Sequence, residues 1–161
     1  MAKEAFEQMR LDHHRVLERA AAVETAVLGG GVRPMGPATE RELREALAVF
    51  ESHFRGHVTA EDEVLFPALV RTLPETRRSV EPLESEHADL RDMLARLAAT
   101  LAEPARPDRD EQIGVQLRDF IDLLRIHIRK EEALVMRVAE QVLPPREVQV
   151  LSARMSQIPR T

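Results

Sequence analysis

Four stretches of this chain repeat apolar residues at intervals of three and four, and each pattern is broken off by glycine or proline. That spacing puts the apolar side chains on one face of an α-helix, so the chain must bury four amphipathic stripes against one another. The first stripe is Phe6, Met9, His13, Val16, Ala20, Val23 and Val27, ended by Gly29-Gly30-Gly31 and a loop with Pro34, Gly36 and Pro37. The second is Leu43, Leu47, Phe50, Phe54, His57, Glu61, Val64 and Ala68, with Pro74 in the break that follows. The third is Leu83, His87, Leu90, Leu94, Leu97 and Leu101, closed by Pro104 and Pro107. The fourth is Ile113, Leu117, Phe120, Leu124, His127, Glu131, Leu134 and Val138, stopped by Pro144-Pro145. Pro67 falls inside the second pattern; it is expected to kink the helix or tighten its last turn, with helix continuing to about Arg71.

Short breaks between such helices predict an all-α, antiparallel up-down-up-down four-helix bundle. It is expected over residues 1–142, with a short C-terminal helical tail at 143–161 (Glu147 to Met155) packing on one end. No apolar run approaches the roughly 20 residues needed to span a bilayer, and the charged start MAKEAFEQMR reads as helix rather than signal peptide. A cytoplasmic location follows as the expectation, with no membrane partner. The net charge of −5 and the lack of a basic stripe with interleaved aromatics argue against nucleic acid. With no Cys, the chain has no disulfide, thiolate ligand or thiol nucleophile.

The stripes contain residues that do not belong in a core. His57 and Glu61, and again His127 and Glu131, lie four apart on one helical face, and His13 and His87 interrupt the other two stripes. Burying carboxylates and imidazoles without partners is costly. Counting along each helix from its loop at about 1.5 Å per residue places all six within roughly 12 Å in height. They therefore read as one polar layer in mid-bundle, and no Lys or Arg in the stripes neutralises the two carboxylates. Two first-row cations would; nitrogen and oxygen ligation without sulfur suits iron, manganese or zinc. Six protein ligands leave positions open on two such ions, where chemistry can occur. The competing reading is a buried His–Glu network without metal, an arrangement often no more stable than apolar packing.

The halves of the chain resemble each other: His and Glu are fifth and sixth in both the second and the fourth stripe. His13 is preferred to His14, which lies about 100° around the helix on a stripe that fails at Glu24. His53 lies on the flank of the second stripe, beside the layer or exposed. Asp62, Glu63 and Glu132 read as solvated acidic neighbours, and the Met residues as core filler.

The order His, His-x-x-x-Glu, His, His-x-x-x-Glu resembles that of the hemerythrin-like, cation-binding HHE family over about residues 6 to 142. The likeness is carried by Asp12-His13-His14-Arg15-Val16, by His57-x-x-x-Glu61-Asp62 with Val64-Leu65-Phe66-Pro67, by Glu86-His87 with Leu90, and by His127-x-x-x-Glu131-Glu132. The resemblance implies a non-haem di-iron centre: two iron ions with an oxo or hydroxo bridge, His13, His57, His87 and His127 as terminal ligands, and Glu61 and Glu131 bridging. It implies small ligands (dioxygen, peroxide or nitric oxide) and a role in oxidative or nitrosative stress defence or sensing, with enzyme and sensor both open. Oxygen carriers of this kind have a His-x-x-x-His pair on the third helix; here the positions four from His87 are Leu83 and Arg91. One imidazole is missing, which argues against reversible oxygen carriage and for an open, peroxide- or nitric-oxide-reactive site. Ferritin-like bundles use Glu-x-x-His and more carboxylates; the repeated pairs here put His first, at a spacing of four, and the layer has fewer carboxylates. The alternative function is a regulatory or interaction module that binds zinc, manganese or iron without redox turnover.

Overall fold

A computed structural model describes residues 2–29 and 34–157. Gly30 and Gly31, read above as part of the first helix stop, and residues 158–161 of the tail lie outside the described residues. Every regular element is helical, with no strand among the described residues. Helix α1 spans Ala2–Leu28. Helix α2 (Pro37–His53) runs on through two π turns, Phe54–Val58 and Glu61–Leu65, into α3 (Phe66–Thr72). A 3-10 turn, Pro74–Thr76, leads into α4 (Arg77–Ala102). Helix α5 (Pro107–Glu131) passes through a π turn, Glu132–Met136, into α6 (Arg137–Val142), and α7 spans Pro145–Ser156. Proline opens α2, α5 and α7, where its missing N–H would be unpaired in any residue and its fixed φ suits a helix. Gly29 ends α1 where a Cβ would stand 2.5 Å from the Thr25 carbonyl oxygen.

The π turns correct the helical reading of the sequence. Leu134, expected in the fourth stripe, is 51% exposed, and Val135 and Met136 are buried in its place. A π turn accommodates one more residue than an α turn, so the inward face moves along by one. At Pro67 the preceding turn is widened rather than tightened, with the Phe66 N–H bonded to the Glu61 carbonyl five residues back, and helix continues to Thr72. The Thr59 Oγ1 donates to the Phe54 carbonyl, also five back, at 3.0 Å.

Helix α1 packs on α2, α5 and α7, and α4 packs on α5 and α2. The apolar side chains form two separate cores. One gathers Val16, Leu43, Phe50, Leu94, Leu117 and Phe120. The other gathers Phe6, Met9, Phe66, Leu83, Met136 and, from α7, Leu151. In each of the four long helical runs the polar stripe residues fall between the two cores, and six of them are buried: His13, His57, Glu61, His87, His127 and Glu131. No helix among the described residues is long and apolar enough to cross a membrane.

Candidate metal centre

Two clusters of ligand atoms face each other in this layer. His13, His57 and Glu61 form one, and His87, His127 and Glu131 the other; within each, one ligand atom per residue lies within 4.8 Å of the others. The His13 and His57 Nε2 atoms are 2.9 Å apart, as are those of His87 and His127. The carboxylates join the clusters. Glu61 sets Oε1 2.6 Å from His57 Nε2 and Oε2 3.4 Å from His87 Nε2. Glu131 sets Oε2 3.5 Å from His13 Nε2 and 3.6 Å from His127 Nε2.

Each imidazole turns its other nitrogen outward to a carboxylate. His13 Nδ1 is 2.9 Å from Glu132, His57 Nδ1 is 3.4 Å from Asp12, His87 Nδ1 is 2.6 Å from Asp62, and His127 Nδ1 is 2.9 Å from Glu86. An ionised carboxylate only accepts, so Nδ1 donates and Nε2 is left to present its lone pair to the centre. These four acids are the residues the sequence reading missed: Asp62 and Glu132, taken there as solvated, hold imidazoles. Each stands beside a stripe residue, inside the segments that carry the family likeness, and that was the signal available in the sequence. Glu63 does face solvent, 58% exposed, and pairs with Arg154.

This geometry tests whether a cation fits. Imidazole nitrogens with inward lone pairs converge in pairs, and all four oxygens of Glu61 and Glu131 are buried without a hydrogen-bond donor among the described residues. Converging lone pairs and orphaned carboxylate oxygens repel one another unless positive charge lies between them. The donor set and its orphaned atoms therefore fit metal ions.

Without metal, protons must serve. Burial works against charge on His13, but Glu131, Glu132 and Glu61 outweigh it and raise its pKa to about 10. His57 is raised as well, burial being overcome by Glu61 and Asp12. Burial and the adjacent His87 push His127 down to about 4. The two carboxyls diverge. Burial would raise Glu61, but His57 and His13 hold it well below the usual range; burial and the charge of Glu61 drive Glu131 well above it.

The remaining histidines differ. His14 is 67% exposed and pairs with Glu18 at 3.2 Å, away from the layer. His53 is half-buried and stacks on His57, ring centres 4.6 Å apart. Phe66 stacks on His87 at 5.6 Å. Neither position four from His87 offers an imidazole: Leu83 is buried in the second core, and Arg91 reaches Asp62 at 3.0 Å.

The family model described as hemerythrin HHE cation-binding domain matches residues 4–139. No curated protein matches the chain.

Proposed function

This chain belongs to the hemerythrin HHE cation-binding family, and from that premise we propose that it is a non-haem di-iron protein handling peroxide, nitric oxide or dioxygen in oxidative or nitrosative stress defence or sensing. In this reading the helical pairs of α1 with α2, α4 with α5, α1 with α5 and α2 with α4 make an antiparallel up-down-up-down bundle. Its body is residues 1–142, and residues 143–161 are a tail that closes one end.

The observation that carries the reading is the set of four orphaned, buried carboxylate oxygens facing four inward imidazole nitrogens. His13 and His57 would hold one iron, His87 and His127 the other, with Glu61 and Glu131 between them. Two irons held this way would supply electrons and open coordination positions for small oxidants and gases. The chain supplies the rest. Its imidazoles present Nε2 in a fixed direction, the two apolar cores above and below keep bulk water out, and the third helix offers one imidazole where an oxygen carrier has two. That shortfall favours reaction with peroxide or nitric oxide over oxygen storage.

The test compares iron-loaded wild type with His127→Ala and Glu131→Ala. Loss of peroxide consumption and of nitric oxide binding in both variants is expected. Peroxide consumption that survives both substitutions overturns the redox reading and leaves a regulatory metal module.

A further inference from the structure

The four outer carboxylates follow one rule. Asp12 precedes His13 and holds His57 of the next helical run. Asp62 follows Glu61 and holds His87 on α4. Glu86 precedes His87 and holds His127 on α5. Glu132 follows Glu131 and holds His13 on α1, which closes the circle. Sequence neighbours on a helix stand about 100° apart, so when one faces the centre the other faces a seam. In the antiparallel arrangement proposed above, one step back on a helix and one step forward on the next turn the same way. A ring with a single sense of rotation results.

We infer that Asp12, Asp62, Glu86 and Glu132 are positioning residues, a closed ring of carboxylate–imidazole bonds that aims all four Nε2 atoms at the centre. Three of them are themselves held from outside: Asp12 by Gln8 at 2.8 Å, Asp62 by Arg91 at 3.0 Å and Glu86 by Lys130. Arg91, at a position where an oxygen carrier could have its second imidazole, braces the acid that orients the remaining one. Two links cross between the clusters. Glu132 adjoins Glu131 yet holds His13 of the other cluster, and Asp62 adjoins Glu61 yet holds His87. Damage at either acid is therefore felt in the cluster opposite its own neighbour.

The inference rests on the metal-binding reading. Its test is ferrous affinity of the 161-residue chain by anaerobic chelator competition, with the diferric near-ultraviolet band after exposure to air as a second readout. Asp62→Ala and Glu132→Ala should each weaken iron binding about 10- to 100-fold and shift the band. Asp62→Asn and Glu132→Gln keep an acceptor oxygen and should recover part of the loss. Glu18→Gln, on an exposed pair, should change nothing. Melting temperatures of the metal-free variants are recorded alongside. Wild type that binds no metal overturns the functional reading and the ring together. Wild type that binds iron beside alanine variants of equal affinity overturns the ring alone. So does a loss that merely tracks melting temperature and is not recovered by the amide variants.

Discussion

The Nε2 atoms of His13 and His57 approach to 2.9 Å, a separation that two bare lone pairs do not tolerate. In the metal-free protein a proton on His13 relieves that contact, and Glu131, Glu132 and Glu61 favour it against burial, raising that group to about 10. His57 and Glu131 are raised too. Groups whose pKa lies above the working pH carry protons that a metal must expel, so uptake is linked to pH. The sign is fixed: affinity rises with pH through neutrality towards about 10 and falls on acidification. Calorimetric loading in two buffers of different ionisation enthalpy should show net proton release, about one proton from His13 alone. Loading without proton release would contradict these assignments. At this scale the inner residues were legible because an ionisable side chain within an apolar stripe is anomalous. The outer acids were not: Asp62 and Glu132 sit one step off the stripe, at seams that only the packed helices define, and look in sequence like Glu63.

A helix that carries two ligands four apart is under a local constraint, and here each such helix widens at or just beyond the pair. His57 and Glu61 lie within the π turns Phe54–Val58 and Glu61–Leu65, and Glu131 precedes the turn Glu132–Met136. Periodicity could not reveal this. Apolar residues fill positions 134 to 136 without a gap, and an α-helical count selects Leu134, whereas the widened turn buries Val135 and Met136. A π turn is one residue inserted into an α-helix, which predicts an unusual tolerance. Deleting exposed Leu134 should leave the inward set of α6 facing the second core and cost about 1–2 kcal/mol. Deleting exposed Arg118 from the regular part of α5 should swing everything beyond it by about 100° and abolish cooperative melting. Equal damage from the two deletions in thermal melts would count against the inserted turn.

The molecule as a whole is two apolar cores held apart by a polar layer. Most of that plan was legible: prolines mark the starts of α2, α5 and α7, and the stripes name most of the core. The division into two cores was implied by where His and Glu interrupt each stripe. The role of α7 was visible only as a tail, because Leu151 and Met155 find their place in the second core through packing on α1. Two cores joined across a layer that relies on protons in the absence of a cation should gain stability from bound metal. Free metal at a hundred times Kd adds about 2.7 kcal/mol per site, roughly 5–10 °C in melting temperature for a chain of this size. Chelation should lower the melting temperature by that amount per ion, and readdition should restore it. A melting temperature indifferent to chelation would mean that the layer is satisfied without metal.

The most direct measurement is elemental analysis of the chain after anaerobic ferrous loading and desalting, read beside Glu61→Gln and Glu131→Gln. The two facing clusters predict about two iron ions per chain in the wild type and a clear loss in both variants. Wild-type protein that retains no iron, or variants that retain as much as the wild type, would contradict a metal centre built from these six residues.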